Sequence, residues 1–218
     1  MTVRLVVATT NLAKVAEFRS ALSPLGAGIL SAKEVGLTTF PEETGSSYLE
    51  NAQLKAEHAA LKTDLPALAD DSGLEVEALN GAPGIYSARF GGPISNSERI
   101  SYLLQQLRGV PRGARGARFV CSIVLATPGG EVESFHGEAE GEILFSPRGE
   151  GGFGYDPVFY SPELGRTFAE VSREEKQRVS HRGKALQQFV DWALTPPALA
   201  AISTCSQRGH ELRPQAEA

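Results

Sequence analysis

The chain has 218 residues, of which 41% are apolar and 22% are charged, and its formal net charge is −5. These values are typical of a globular protein with one large domain or two small ones. The acidic balance argues against a nucleic-acid partner, and no apolar run reaches the roughly 18 residues that a membrane span needs.

Hydrophobic periodicity predicts alternating strands and helices in the first half of the chain. The predicted elements are, in order, a buried strand at 3–8, a helix at about 12–22, a short strand at 29–30, a helix from Ser46 or Ser47 to about Lys62, and short strands at 67–69 and 74–79 on either side of residues 70–73. The serine before the long helix is a favourable N-cap.

The second half is predicted to contain a long hairpin and amphipathic helices. Its elements are a turn-rich loop at 81–92, a helix from Ser95 or Ser97 that carries Leu107, strands at 118–127 and 131–145, a glycine-rich loop at 149–154, a short strand near 158–160, a short helix capped by Ser172, and a helix at about 183–194 that ends before Pro196. Early alternation followed by a hairpin predicts an α/β protein with a mixed sheet. We expect the polar tail, residues 196–218, to be partly disordered.

The two cysteines, Cys121 and Cys205, are too few for a disulfide framework and do not have the spacing of a zinc site. Cys121 lies in an apolar run, which favours a buried thiol. Residues 1–8 have no plausible cleavage site, so no signal peptide is expected. These features favour a cytoplasmic location.

The first segment with chemical potential is Thr9-Thr10-Asn11-Leu12-Ala13-Lys14, at a strand-to-helix junction. Helix N-termini expose N–H groups and a partial positive charge, so they bind anions. Lys14, one turn into the helix, can fold back over a phosphate. In the alternative interpretation, Thr10 or Asn11 only caps the helix and Lys14 is solvated.

The second segment is acidic and has two parts, Glu42-Glu43-Thr44-Gly45 and Asp70-Asp71-Ser72-Gly73. Adjacent carboxylates are costly to hold together unless a cation lies between them or one is protonated. Magnesium binds carboxylates together with a substrate's phosphates. The alternative for Asp70 and Asp71 is a solvated turn before Gly73.

Two further segments could bind a nucleoside. In Gly151-Gly152-Phe153-Gly154-Tyr155-Asp156-Pro157, glycines allow close approach of a ligand, and Phe153 or Tyr155 offers a ring for stacking; the alternative is aromatic rings in the core. Lys176 and the run Ser180-His181-Arg182 could meet from a helix and the loop that follows it. His181 and Arg182 could donate hydrogen bonds to a purine carbonyl, although His181 is also compatible with an ordinary surface histidine.

Together and in this order, these segments resemble the inosine triphosphate pyrophosphatase family. The family's patterns are T/S-x-N-x-x-K, E-T-G, E-N-A-x-x-K-A, A-D-D-S-G-L-x-V, G-A-P-G-x-Y-S-A-R, G-F-G-Y-D-P-x-F and S-H-R, and here they occupy 9–14, 43–45, 50–56, 69–76, 81–89, 153–159 and 180–182. The resemblance covers roughly residues 3–194. One departure is Gln177, where the family usually has Asn.

The resemblance implies an elongated mixed sheet flanked by helices, with two lobes and a central cleft, in one domain over residues 1–195, and a homodimer. It implies that the triphosphate is bound by Thr9, Thr10, Asn11 and Lys14, with Lys55 close by. It implies a magnesium site at Glu43 and Asp71, with Asp70 adjacent and Asp71 as the proton acceptor. It implies a nucleotide site lined by Ser72, Phe153, Gly154, Tyr155, Asp156, Lys176, His181 and Arg182.

The activity implied is magnesium-dependent hydrolysis of ITP, dITP or XTP to the monophosphate and pyrophosphate. We expect Asp71 to activate or orient the attacking water and Lys14 to stabilise the leaving pyrophosphate. Two rival interpretations remain. A Maf-type nucleotide pyrophosphatase would lack the G-F-G-Y-D and S-H-R segments, and a non-catalytic nucleotide sensor would be expected to lack Glu43 or Asp71.

Overall fold

The computed structural model describes residues 3–198 and residue 202. Its strands are β1 (Arg4–Val7), β2 (Gly28–Ser31), β3 (Ala67–Val76), β4 (Gly116–Ala126), β5 (Val132–Ile143), β6 (Phe159–Ser161) and β7 (Arg166–Thr167). Its α-helices are α1 (Leu12–Ala21), α2 (Tyr48–Thr63), α3 (Asn96–Gln106), α4 (Arg173–Val179) and α5 (His181–Ala193).

The strands form one mixed sheet in the order β2-β1-β3-β4-β5-β6-β7. β1 is parallel to β2 and to β3, whereas β6 is antiparallel to β5 and to β7. The predicted α/β fold with a mixed sheet is therefore confirmed. Within the described ranges, no helix is long and apolar enough to cross a membrane.

The chain divides into two compact units. The first unit comprises the described residues of Met1–Asp71, Ser122–Phe135 and Ala185–Ala218, and the second comprises Ser72–Cys121 and His136–Lys184. The single two-lobed domain over 1–195 stays a prediction. Residues 196–198 and 202 are helical, and the rest of the predicted disordered tail, like Cys205, lies outside the described residues.

The core of the first unit is built on small residues of α2. Ala52, Ala56 and Ala59 are fully buried and pack in one cluster with Val6 and Ala67. Their i, i+4, i+7 spacing places them on one helical face. Because their side chains are short, the backbone of α2 can approach its neighbours closely, which brings the longer polar side chains of the same helix near β3.

The core of the second unit is rich in aromatic rings. Phe119 lies with its ring centroid 4.6 Å from that of Phe159 and 6.0 Å from that of Phe168. Leu103 and Leu107, from α3 and its C-cap, are fully buried in the same cluster. Cys121 is also fully buried, which confirms the prediction of a buried thiol.

The predicted break between two short strands at residues 70–73 is wrong, and so is the alternative of a solvated turn there, because these residues lie inside the continuous strand β3. Both carboxylates have a cationic partner, which compensates for their burial and allows an extended backbone. The strand also ends earlier than predicted, since Glu77–Leu79 forms a 3-10 turn.

The last helix begins at His181 instead of near Gly183, so His181 and Arg182 lie in α5 and not in a loop. Only glycine fits at position 183, because the Cβ atom of any other residue would lie 1.6 Å from the backbone oxygen of Gln177. Gly183 was expected to mark the start of the last helix. It instead lies inside α5, at the point where α5 contacts the end of α4.

Candidate active site

The N-terminus of α1 is built by a local hydrogen-bond network. Asn11 is the N-cap, and its Oδ1 accepts from the backbone N–H of Ala13 at 2.9 Å and of Lys14 at 3.3 Å. Thr9 Oγ1 accepts from the backbone N–H of Asn11 at 3.2 Å, and Thr10 is exposed beside it. Asn11 therefore does cap the helix, and the cap fixes the orientation of a helix end that favours anions.

Lys14 is paired with a carboxylate and is not simply solvated. Its Nζ lies 2.8 Å from Oδ2 of Asp70, whose side chain is 1% exposed. A buried carboxylate without a cation would be strongly destabilising, so the pair explains how Asp70 can lie within β3. The pair also places a positive charge next to the start of α1.

A second lysine joins two carboxylates from distant segments. Lys55 Nζ lies 2.8 Å from Oε1 of Glu43 and 3.4 Å from Oδ1 of Asp71. Asp71 also accepts a hydrogen bond from Nδ2 of Asn51 at 3.2 Å. Asn51 and Lys55 are four residues apart on α2, so both reach Asp71 from the same face of one helix.

Burial and charge together shift the titration of this cluster. Burial raises the pKa of Asp71 above its usual range, and the neighbouring carboxylate of Glu43 adds to this, although the ammonium groups of Lys55 and Lys14 oppose it. Burial alone would lower the pKa of Lys55, but the carboxylates of Asp71, Asp70 and Glu43 outweigh it and the pKa is raised. Lys55 is therefore charged, and Asp71 is a more basic carboxylate than an exposed one.

The chemistry of this cluster fits a hard divalent cation. Carboxylate oxygens of Glu43 and Asp71 converge on the ammonium of Lys55, so the fold already accommodates a positive charge between them. Among the described residues, no group of three or more His, Cys, Asp or Glu side chains forms a metal cage. Magnesium commonly takes one or two carboxylates and completes its shell with water and phosphate oxygens, so this donor set fits it.

In the second unit, Asp156 organises the glycine-rich loop. Its Oδ2 accepts from Nζ of Lys176 at 2.6 Å and from the backbone N–H of Phe153 at 2.8 Å. Gly152 has φ +69°, and a Cβ atom there would lie 2.1 Å from the same oxygen. Gly154 has φ +60°, which lets the loop turn between Phe153 and the buried residues after it.

Two cations lie near the ring of Phe153. Lys176 Nζ is 4.5 Å and Arg182 Cζ is 5.7 Å from the ring centroid. Lys176 and Arg182 therefore lie near the same ring, and they come from the two helices α4 and α5 instead of a helix and a loop. Arg182 is 2% exposed, and its Nη2 donates to Oγ of Ser72 at 2.8 Å.

His181 and Tyr155 are core residues of the second unit. His181 is 4% exposed, and its ring stacks on Phe119 with centroids 4.6 Å apart and planes 10° apart, so it is not a surface histidine. Tyr155 is also 4% exposed, and its hydroxyl donates to the backbone oxygen of Ser87 at 3.0 Å. Of the two rings suggested for stacking, only that of Phe153 is partly exposed, and Tyr155 fits the alternative of a core aromatic.

Each unit thus brings together part of the predicted set. The first unit gathers Lys14, Glu43, Lys55, Asp70 and Asp71, and the second gathers Ser72, Phe153, Asp156, Lys176 and Arg182. Sequence reasoning missed Asn51, which contacts Asp71. The signal was present in the E-N-A-x-x-K-A pattern, where an asparagine stands one helical turn before the lysine.

Comparison with known proteins identifies the family of this chain and several of its relatives. The model of the Ham1 family matches residues 5–192. A dITP/XTP pyrophosphatase of Thermus thermophilus is 54% identical over 188 residues, which cover 86% of this chain and 90% of that protein. One from Yersinia pseudotuberculosis is 49% identical over 191 residues, covering 86% of this chain and 96% of that protein.

Solved structures give the same result. A HAM1 protein from Coxiella burnetii superposes with a TM-score of 0.79 at 44% identity, covering 88% of this chain and 98% of that one. The Ham1 protein of Staphylococcus aureus has a TM-score of 0.77 at 41% identity, covering 87% and 97% of the two chains. With a family match across most of its length, the chain belongs to the Ham1 family.

Proposed function

We propose that this protein hydrolyses non-standard purine nucleoside triphosphates, namely ITP, dITP and XTP, to the nucleoside monophosphate and pyrophosphate. The observation that carries the proposal is the cluster in which Lys55 joins Glu43 to Asp71, since it combines a basic carboxylate with cations for a polyphosphate. Relatives about 50% identical to this chain are dITP/XTP pyrophosphatases, which supports the same reaction here.

The polyphosphate is bound by the cationic groups of the first unit. Lys14 lies at the start of α1, and helix N-termini attract phosphate oxygens. Lys55 adds a second positive charge. As the bond between the α-phosphorus and its bridging oxygen breaks, negative charge grows on the leaving pyrophosphate, and Lys14 stabilises it.

Asp71 activates the nucleophile. A water oxygen attacks the α-phosphorus, Asp71 takes its proton, and pyrophosphate leaves with the bridging oxygen. Burial raises the pKa of Asp71, which makes its carboxylate a better proton acceptor than an exposed one. A well-placed general base contributes roughly 10²–10⁴-fold to the rate.

Magnesium is the proposed cofactor, held by Glu43 and Asp71 with Asp70 adjacent. When bound, it neutralises charge on the phosphate oxygens and so favours displacement at phosphorus. Lys55 Nζ lies between the carboxylates of Glu43 and Asp71, so these two residues can hold a positive charge together.

The base is read by donors of the second unit. Phe153 offers a partly exposed ring, and Arg182 and Lys176 lie over it. Hypoxanthine and xanthine present an oxygen at position 6, whereas adenine presents an amino group. Buried donors that face the amino group of adenine stay unpaired. Such mismatches can lower kcat/KM for the wrong base by about 10⁴–10⁵-fold.

A panel of triphosphates tests the function directly. Pyrophosphate release is measured for ITP, dITP, XTP, GTP, ATP and a modified pyrimidine triphosphate, each with magnesium and with EDTA. We expect kcat/KM for ITP and XTP to exceed that for ATP by at least about 10³-fold, and EDTA to abolish release. Comparable values for ATP and ITP would contradict base readout, preference for the pyrimidine would favour Maf-type activity, and binding without release would indicate a sensor.

We also propose a homodimer and a cytoplasmic location. Both are supported by membership of the Ham1 family and by the reaction, which acts on the soluble nucleotide pool. Light scattering coupled to size exclusion gives the mass in solution. A mass equal to the 23.2 kDa of one chain at micromolar concentration would contradict the dimer.

A further inference from the structure

We infer that Asn51 is a positioning residue that fixes the orientation of the Asp71 carboxylate and ties it to the loop that carries Glu43. The inference rests on the proposed function, since it gives Asn51 a part in the same reaction. It is carried by two hydrogen bonds of one buried amide, both within the first unit.

The orientation of the Asn51 amide follows from its partners. Asn51 is fully buried, and the backbone N–H of Gly45 lies 2.8 Å from its Oδ1. A backbone N–H can only donate, so the amide oxygen must face Gly45. The amide nitrogen then faces the other way, where it donates to Oδ2 of Asp71 at 3.2 Å.

This bond distinguishes the two oxygens of Asp71. Oδ2 is held by Asn51, and Oδ1 lies 3.4 Å from Nζ of Lys55. A carboxylate held at both oxygens has little freedom to rotate about its terminal torsion. Oδ1 therefore stays directed at Lys55, and a proton acceptor or metal ligand requires such a fixed orientation.

The other end of the Asn51 amide holds the loop that carries Glu43. A Cβ atom at Gly45 would lie 2.7 Å from Asn51 Oδ1 and 2.7 Å from the Cβ of Glu50, so only glycine allows this approach. Ser47 caps α2 by accepting from the backbone N–H of Glu50, which fixes the start of the helix. Asn51 therefore couples the backbone beside Glu43 to the side chain of Asp71.

A purely structural role for Asn51 predicts a different outcome from a positioning role. If the amide only satisfied the N–H of Gly45, its replacement would lower stability and leave kcat of the folded enzyme unchanged. If it positions Asp71, replacement lowers kcat in folded protein while nucleotide binding, which uses Lys14 and Lys55, persists. The ratio of effects on kcat and KM separates the two roles.

Two variants probe the two bonds of the amide. Asn51→Ala removes both, whereas Asn51→Asp keeps an acceptor for Gly45 and presents an oxygen instead of a donor to Asp71. We expect kcat for ITP to fall by about 10–100-fold in both, the range typical for residues that orient metal-binding groups, with KM changed by less than about threefold. Affinity for a non-hydrolysable ITP analogue in EDTA should stay close to that of the wild type.

Two control variants separate an effect on kcat from a loss of stability and from an unrelated change in α2. Val124→Ala shortens a fully buried side chain in the core of the first unit, and it should lower the unfolding temperature but not kcat. Gln53→Ala changes α2 at a position whose amide contacts Glu57, and it should have no effect on kcat. A fall in kcat that merely followed the unfolding temperature across all variants would overturn the inference.

Crystal structures of the variants give a test that needs no activity. We expect the carboxylate of Asp71 in Asn51→Asp to rotate, so that Oδ2 leaves the position it has in the wild type. An unchanged carboxylate, or wild-type kcat in either variant, would overturn the inference. If the wild type itself released no pyrophosphate from any triphosphate, the proposed function would fail, and the carboxylate orientation would still decide the role of Asn51.

Discussion

At the scale of single residues, the site is a set of charges that compensate one another. Asp70 and Asp71 are adjacent and buried, yet each has its own cation, Lys14 for the first and Lys55 for the second. Removing one member of such a pair leaves the other uncompensated, which is strongly unfavourable in a buried setting. The site is therefore sensitive to any substitution that changes one charge alone.

The proton acceptor is tested at this scale by Asp71→Asn, which keeps the shape of the side chain. We expect kcat for ITP to fall by roughly 10²–10⁴-fold, because the amide cannot take a proton from water. Nucleotide affinity should change little, since Lys14 and Lys55 remain. Pyrophosphate release gives kcat, and calorimetry in EDTA gives Kd.

Glu57→Gln is the matched control for this change, because it neutralises an exposed carboxylate on the same helix α2, whose Oε1 accepts from Nε2 of Gln53 at 2.7 Å. It should retain the kcat of the wild type. If Asp71→Asn also retained that kcat, Asp71 would have no part in proton transfer.

At the scale of elements, capped helix ends and tight loops hold the functional groups. Asn11 caps α1, and Asp156 closes the loop before β6 through the N–H of Phe153 and the ammonium of Lys176. In both cases a side chain satisfies a backbone donor, which fixes the local backbone. The neighbouring cations are thereby held in a defined position.

Gly152→Ala tests the closed loop. The new Cβ would lie 2.1 Å from Oδ2 of Asp156, so Asp156 must move and its bonds to Phe153 and Lys176 weaken. We expect a loss of about 1–3 kcal/mol in the free energy of unfolding and a higher KM for ITP. Urea denaturation and steady-state kinetics measure the two effects.

The control for this loop is Gly165→Ala, since Gly165 has a similar φ of +65° but nothing within 4 Å of the added Cβ. The strain of a positive φ is common to both variants, and the collision with Asp156 is not. Equal losses of stability and equal KM values in the two variants would show that the contact with Asp156 has no special effect.

At the scale of the whole molecule, acid stability depends on carboxylates that are hydrogen-bonded only in the folded state. Hydrogen bonds from the hydroxyl and the backbone N–H of Ser31, together with the neighbouring Arg19 guanidinium, lower the pKa of Glu34 from 4.5 to about 2. A depressed pKa contributes stability that is present above the unfolded value, near 4.5, and lost as pH falls towards 2.

Glu34→Gln should therefore destabilise the protein most at neutral pH. The difference in urea midpoint between wild type and variant is expected to be constant above about pH 5 and to shrink as pH falls below 4, because the protonated Glu34 loses the same interactions. Denaturation curves from pH 7 to pH 3 measure this. A difference that is independent of pH would show that the Glu34 charge contributes nothing to stability.

The sequence by itself determined which chemical groups are present and most of the local structure. Helix caps and apolar stripes act over a few residues, so Ser47, Asn11 and the alanine face of α2 could be predicted from spacing alone. The ordered motifs also pointed to the family. The residue types and their spacing also indicate that carboxylates, lysines and a glycine-rich loop make up the candidate site.

Only the tertiary structure decided which of these groups meet. Lys55 joins Glu43 to Asp71, and Arg182 reaches Ser72, because chain packing brings together segments that are far apart in sequence. Contacts between distant segments also explain why the continuity of β3 through Asp70 and Asp71 could not be predicted from the sequence. Local propensity favours a turn at two aspartates before a serine and a glycine, and the cations that make a buried strand possible come from other elements.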